Sequence, residues 1–179
     1  MKNKILASRL AGYSATAAAM AAISANADAQ IVYSGLQNLV VSMNDTVAID
    51  INNDGINDFS FMLDSITNKV AKIHNLDASN KWMGSSYVYA LQKGNSIKGS
   101  SSSYFRNNYS LLGATWLSGS KVHGYFPGHG NRYVGVNFMI GTEVHPGWIK
   151  INIPNNVSQI KIIDWAYEQT PNTYIQVEN

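Results

Sequence analysis

Short runs of alternating apolar and polar residues cover most of the chain after residue 30, and turn-forming residues separate one run from the next. A period of two predicts β-strands, and no window of adequate length carries the apolar stripe of a helix. The predicted strands are 31–33, 39–42, 46–50, 58–64, 69–75, 86–92, 104–112, 133–140, 147–153 and 159–168. So many short strands without a βαβ pattern predict an all-β fold, a jelly-roll-like antiparallel β-sandwich.

The last third of the chain has the most regular alternation. One predicted strand places three isoleucines on the same face: Ile149, Ile151 and Ile153. Pro154 then prevents further ladder bonding, and the His-Pro-Gly sequence at 145–147 is predicted to be a hairpin turn. The adjacent Ile162 and Ile163 predict a β-bulge or a strand buried on both faces.

Two segments are predicted to be loops. Residues 94–103 are rich in Gly and Ser, which is typical of a solvated connection. Residues 118–131 contain four glycines and two histidines, and they are the better candidate for a functional loop.

The N-terminal residues have the features of a signal peptide. Lys2, Lys4 and Arg9 form a basic start, a weakly apolar stretch covers 10–23, and Ala-Asp-Ala at 27–29 offers a cleavage site. The apolar stretch is too short to span a membrane. We therefore expect a secreted protein, with a signal peptide at 1–29 and a single extracellular β-sandwich domain at 30–179.

Composition narrows the classes of partner and chemistry. Without the signal segment, Lys+Arg falls from 13 to 10 and Asp+Glu falls from 11 to 10, because three basic residues and Asp28 lie within it. No basic stripe remains that could follow phosphates, so nucleic acid is not an expected partner. The absence of cysteine excludes disulfides, thiol nucleophiles and thiolate metal sites.

The strongest chemical signal is the sequence Asp-Ile-Asn-Asn-Asp-Gly-Ile-Asn-Asp at 50–58. Oxygen ligands recur at every second position and Gly55 allows a sharp turn, which is typical of a Ca²⁺ loop. Phe61 stands where a helix–loop–helix site would have a bidentate Glu, and the flanks have a strand pattern, so we place the loop between two strands. The alternative is a plain turn without metal. The predicted ligands are Asp50, Asn52, Asp54, the Ile56 carbonyl and Asp58.

Other side chains are candidates for binding or catalytic groups. Aromatic rings beside turn residues are candidates for stacking on sugars, whereas Trp148 and Trp165, in strong strands, are assigned to the core. The candidate glycan contacts are Trp82, Tyr125 and Phe126. The histidines at 123, 129 and 145 match no zinc spacing, and the carboxylates at 143, 164 and 168 form no recognisable pair, so the chain is not predicted to be an enzyme.

Three motifs resemble a largely uncharacterised group of exported bacterial proteins: Arg-Tyr-Val-Gly-Val-Asn-Phe at 132–138, His-Pro-Gly-Trp at 145–148 and Ala-Tyr-Glu-Gln-Thr-Pro-Asn at 166–172. Such proteins carry sorting tails of the PEP-CTERM or type IX secretion kind. The resemblance implies an extracellular β domain without assigning an activity. No sorting tail follows the last motif here, so we expect release or assembly.

Thr46 and Ser65 lie in Asp-Thr/Ser-apolar triplets that are similar to O-glycosylation sites of some such bacteria.

The apolar N-terminal strand, residues 30–33, can pair within its own domain or with a neighbouring chain. Together these features predict a secreted structural or adhesive β domain with a structural Ca²⁺ site, able to assemble with itself in a matrix or filament. The alternative is a carbohydrate-binding module whose partner is an extracellular polysaccharide. A hydrolase is the third reading.

Overall fold

The computed structural model of the chain describes residues 30–65, 68–99, 105–106, 109–116 and 121–178. These residues contain fourteen strands and no helix, which confirms the predicted all-β fold. The predicted signal peptide at 1–29 lies outside the described residues, and so do residues 100–103 and 118–120 of the two predicted loops. None of the described segments is a helix long and apolar enough to cross a membrane.

The strands in chain order are β1 (Ile31–Tyr33), β2 (Leu39–Val41), β3 (Asp45–Ile49), β4 (Phe59–Asp64), β5 (Asn68–Asn75), β6 (Lys81–Met83), β7 (Ser96–Lys98), β8 (Phe105–Arg106), β9 (Tyr109–Trp116), β10 (Val122–His123), β11 (Asn131–Ile140), β12 (Glu143–Asn152), β13 (Ile160–Glu168) and β14 (Tyr174–Gln176). A seven-stranded sheet has the order β1-β13-β12-β11-β6-β8, and β2 also pairs with β13. A five-stranded sheet has the order β10-β9-β5-β4-β3, and β14 and β7 form a third, two-stranded sheet.

The two larger sheets pack against each other around one shared core, as in a β-sandwich. Its buried members include Phe59, Phe61 and Leu63 from β4, and Val134, Val136 and Phe138 from β11. Burying each such side chain contributes about 1.5–3 kcal/mol. Because the chain has no cysteine, this packing and the sheet ladders carry the stability of the domain.

Strand β13 changes the phase of its apolar residues part-way along its length. Ile162 points into the shared core before the change, and Trp165 points into it afterwards. Lys150 of β12 pairs with Asp164, whereas the next residue of β12 pairs with Ile162. Ile163 is therefore the extra residue of a β-bulge, which confirms the bulge predicted from the two adjacent isoleucines.

The opposite face of the seven-stranded sheet, called the outer face below, carries a second and smaller core. It consists of Ile97, Tyr133, Trp148, Ala166, Ile175 and Val177. The β7–β14 sheet covers part of this face, so the central strands β12 and β13 are buried on both sides.

The predicted strand at 86–92 is wrong. Only isolated bridges occur there: Tyr87 pairs with Leu111 of β9, whereas Leu91 pairs with Tyr133 of β11. The segment therefore crosses from the smaller sheet to the larger one, and Val88 is buried in the shared core during the crossing. Conversely, β6 was not predicted, because its sequence Lys-Trp-Met offers one buried apolar residue and no period.

The predicted loop at 94–103 is also partly wrong, because residues 96–98 form β7 and pair with β14. One buried apolar residue, Ile97, anchors this otherwise polar strand to the outer face.

The predicted hairpin turn at 145–147 lies inside β12, and the turn falls instead at residues 141–142, where Ile140 pairs with Glu143. Pro146 is tolerated because pairing with β13 begins only at Gly147. Val144 accepts a hydrogen bond from Asn172, on the side away from β11. Backbone groups alternate along a strand, so Pro146 faces that same side and breaks no bond with β11.

Candidate functional site

The predicted ion loop connects β3 to β4, as expected from its flanking strand patterns. Ile49 pairs with Phe59 at the base of the loop, and the Asp58 amide donates to the Ile49 carbonyl. Gly55 has a φ of 91°, a conformation that other residues rarely adopt. The loop is therefore a hairpin connection at the end of the five-stranded sheet.

Carboxylates inside the loop accept hydrogen bonds from its own backbone. Asp50 Oδ1 accepts from the amides of Asn53 at 2.7 Å and Asp54 at 3.3 Å, and its Oδ2 accepts from Gly55 at 2.7 Å. Asp54 Oδ1 accepts from the Ile56 amide at 2.8 Å. These bonds shape the loop, and Asp50 Oδ2 and Asp54 Oδ1 each keep a further lone pair for another partner.

Asn52 lies between Asp50 and Asp54 in sequence, and only one of its two side-chain amide atoms is hydrogen-bonded to a described residue. Its Nδ2 donates to Asp54 Oδ2 at 2.9 Å. Its Oδ1 is buried and has no hydrogen-bond partner within the described part of the chain. Leaving a buried acceptor without a donor costs about 1–3 kcal/mol of folding free energy. We therefore expect a water molecule or a cation to bind this oxygen.

Asp58 has a different role from the other predicted ligands. It is only 7% exposed, and its carboxylate accepts from the Ile51 amide at 2.8 Å and from Asn80 Nδ2 at 3.2 Å. Burial raises the pKa of Asp58 to about 6; these hydrogen bonds oppose the shift, and the charges of Asp50 and Asp54 add to it.

The carboxylates of the loop do not converge. Across the described residues, no three His, Asp or Glu side chains lie close enough together to hold a metal ion. Asp54 is linked to Asp50 through its amide and to Asn52 through its side chain. Asp58 instead holds the base of the loop through the Ile51 amide.

Two of the three predicted glycan contacts are wrong. Trp82 is 2% exposed and Phe126 is 1% exposed, and both belong to the shared core. Trp82 pairs with Val136 and so points inward, and Phe126 packs into the core although turn residues flank it. Tyr125 is 51% exposed and lies near the rings of Tyr87 and Tyr89, so it alone of the three can meet a ligand.

The remaining candidate groups are dispersed. His123 packs edge-on to the Trp116 ring, and His145 is buried with Nδ1 3.0 Å from the Glu168 carbonyl oxygen.

The predicted modification sites differ in their surroundings. Thr46 is exposed on β3, whereas the Ser65 hydroxyl donates to an asparagine side chain at 3.0 Å, and the last residue of the Ser65 triplet lies outside the described residues.

A second group of residues, which the sequence did not predict, lies on the outer face. Trp148 and Trp165 are both buried, as predicted, but Trp148 belongs to the smaller core. The register places Tyr33, Ala166 and Trp148 in one row across β1, β13 and β12. Only the strand register reveals this row, because its members come from opposite ends of the chain.

No protein-family model, curated protein or solved structure matches the chain. A functional proposal therefore depends on the geometry of the domain itself.

Proposed function

We propose that this chain is an exported structural or adhesive β domain whose loop at 50–58 binds Ca²⁺ as a structural ion. The signal-like N-terminus supports export. The sandwich contains two buried hydrophobic cores, which support a stable scaffold although the chain has no cysteine for disulfides.

The buried Asn52 Oδ1 without a partner is the observation that carries the Ca²⁺ proposal. Ca²⁺ prefers oxygen ligands of this kind, and the adjacent carboxylates of Asp50 and Asp54 supply the negative charge. The ligands would be these three side chains with the Ile56 carbonyl and water. Asp58 would support the loop through its bond to the Ile51 amide without contacting the ion.

Calcium-dependent stability tests this proposal. At a free Ca²⁺ concentration about tenfold above the dissociation constant, binding adds ~1.4 kcal/mol. That increment raises the melting temperature by about 3–5 °C in a domain of this size. Asn52→Ala should lose the increase, because it removes the unpartnered oxygen.

Asp77→Asn is the matched control, because Asp77 is an exposed turn aspartate that accepts from the Ser79 amide outside the loop. It should keep the full response to Ca²⁺. A wild-type melting temperature that is the same in Ca²⁺ and in chelator would contradict the structural ion.

The exposed edge of the seven-stranded sheet supports assembly as part of this function. Among the described strands β1 pairs only with β13, and Ile31 and Tyr33 are both exposed. The Ser34 amide donates to the Trp165 carbonyl, so Ser34 and Val32 direct their backbone groups toward β13. Backbone groups alternate, so those of Ile31 and Tyr33 face outward and can receive a strand from a second copy.

Ile31→Pro tests edge assembly, because it removes an outward N–H and leaves the bonds to β13 intact. We expect assemblies of the wild-type domain to disappear in this variant at equal concentration, as measured by light scattering and electron microscopy. Ile31→Thr keeps the N–H and should still assemble. A wild-type domain that stays monomeric at every concentration would exclude assembly through this edge.

A further inference from the structure

A cleft of about 350 Å³ opens on the outer face, between strand β1 and the residues that follow β14. Its lining includes Tyr33 from β1, Trp148 from β12, Ala166 from β13, and Lys93 and Glu178 from the segments around them. We call it the Tyr33 cleft. It is separate from the 50–58 loop, which contributes none of its lining.

One wall of the Tyr33 cleft is aromatic. The Tyr33 and Trp148 rings lie 6.2 Å apart, and Tyr133 packs edge-on against Trp148 at 5.4 Å. Tyr33 is 52% exposed, whereas Ala166, between Tyr33 and Trp148 in the row, is buried and small. The small side chain leaves space beside a ring that presents its apolar surface to solvent.

Two buried polar atoms have no partner in the described part of the chain, one in the cleft lining and one next to it. The indole N–H of Trp148 makes no hydrogen bond to any described residue, and the same holds for Asp164 Oδ1. The other oxygen of Asp164 accepts from the Tyr33 hydroxyl at 2.8 Å, which ties this buried carboxylate to the cleft wall. The cleft therefore offers one buried donor, the Trp148 N–H, beside an exposed aromatic ring whose hydroxyl is held by Asp164.

The charged groups around the cleft cancel one another. Lys150 forms an ion pair with Glu178, and it lies opposite Asp164 in the register of β12 and β13. The charged residues in the cleft lining are one cation, Lys93, and one anion, Glu178. Because they balance, the cleft has no net charge that would attract a strongly ionic ligand.

Interactions with its neighbours keep Glu178 ionised. Partial burial by itself would raise the pKa of Glu178, but hydrogen bonds from Lys150 and Tyr133 outweigh it and hold the pKa below its ordinary value. Glu178 is thus fixed as a hydrogen-bond acceptor at the cleft.

We propose that the Tyr33 cleft binds a neutral pyranose unit of an extracellular polysaccharide. A pyranose has an apolar C–H face that packs on an aromatic ring, and hydroxyl groups that both donate and accept hydrogen bonds. Tyr33 supplies the ring, Glu178 accepts from one hydroxyl, and the Trp148 N–H donates to another oxygen. The cleft volume falls at the lower end of the roughly 300–1,000 Å³ typical of small-molecule sites, which suits one or two sugar units.

Titration with neutral hexasaccharides of glucose, xylose and mannose tests the proposal. The Trp148 indole resonance in the NMR spectrum, assigned with Trp148→Phe, should shift on addition of at least one of them. Tyr33→Ala should weaken binding about tenfold or more, equivalent to one aromatic contact. Tyr33→Phe keeps the ring and the fold, and it should weaken binding less.

Tyr125→Ala is the matched control, because Tyr125 is equally exposed but lies outside the cleft lining. It should leave the affinity unchanged. Binding should also persist in chelator, so failure of the Ca²⁺ proposal and failure of the cleft proposal give different results.

Three outcomes would overturn the inference. The first is that no neutral hexasaccharide moves the Trp148 resonance at millimolar concentration. The second is that Tyr125→Ala abolishes binding while Tyr33→Ala does not. The third is that a hexauronate or a chitosan hexamer binds more tightly than every neutral probe.

Discussion

Asp58 shows how far a sequence motif determines the role of a single residue. Its position in the 50–58 pattern predicts a metal ligand, and the pattern correctly predicts a loop between strands. Its carboxylate instead accepts from Ile51 and from Asn80, which lies 22 positions away in the chain. No local pattern contains a partner so distant, so the sequence could predict the loop but not which of its oxygens would be used elsewhere.

The pH dependence of stability should report this role of Asp58. Its pKa is about 6 in the folded domain, against 3.8 as the ordinary value. Between these values the folded state holds a proton that the unfolded state has lost, so the free energy of unfolding should rise as pH falls from 7 to 5. Urea unfolding in chelator at several pH values measures this.

The corresponding variants make this prediction specific. Asp58→Asn cannot ionise and should remove the rise, whereas Asp77→Asn should retain it. An unfolding free energy that falls steadily between pH 7 and 5 in the wild-type domain would show that Asp58 is not protonated in this range.

At the scale of the strands, alternation predicted most of the long elements but not the short strands β6 and β7. The adjacent Ile162 and Ile163 were enough to predict the bulge in β13, because two neighbouring apolar residues break the period of two and so shift the side chains that follow to the other face. The three-residue strands β6 and β7 depend on tertiary pairing, since each buries one apolar side chain, Trp82 or Ile97. Such strands form because of their neighbours, and a single buried apolar residue does not establish a period.

Gly113 in β9 lies against the turn that contains Pro127. A Cβ at this position would lie 2.2 Å from Pro127 Cγ and 2.6 Å from its Cδ. Gly113→Ala should therefore destabilise the domain by ~1–3 kcal/mol, the usual cost of overpacking. Gly135→Ala is the control, because its methyl group would meet only side-chain carbons of Leu91 and Ile97, at 3.0 and 3.3 Å.

Chemical denaturation of the two variants compares these costs. Equal stability of Gly113→Ala and the wild-type domain would show that the proline-containing turn moves away without cost.

At the scale of the whole molecule, the two cores differ in how they are enclosed. The shared core lies between two sheets of seven and five strands, whereas the smaller core is covered by the two-stranded β7–β14 sheet. The β7–β14 sheet has only three residues in each strand, so few hydrogen bonds and apolar contacts hold it in place. We therefore expect this sheet to open locally before the sandwich unfolds. Amide hydrogen exchange should be faster in Tyr174–Gln176 than in the centre of β12, and equal protection of the two would contradict local opening.

The pairing of the first strands with β13 has a consequence for the order of folding. Tyr33 and Asp164 are 131 positions apart in the chain, yet they are hydrogen-bonded partners. Contacts of such long range form late, because the whole intervening chain must be available before they close. If such a chain passes through a secretion pore in extended form, its large sheet would therefore remain unfolded until nearly all of the chain had passed. The large sheet would then be completed on the far side.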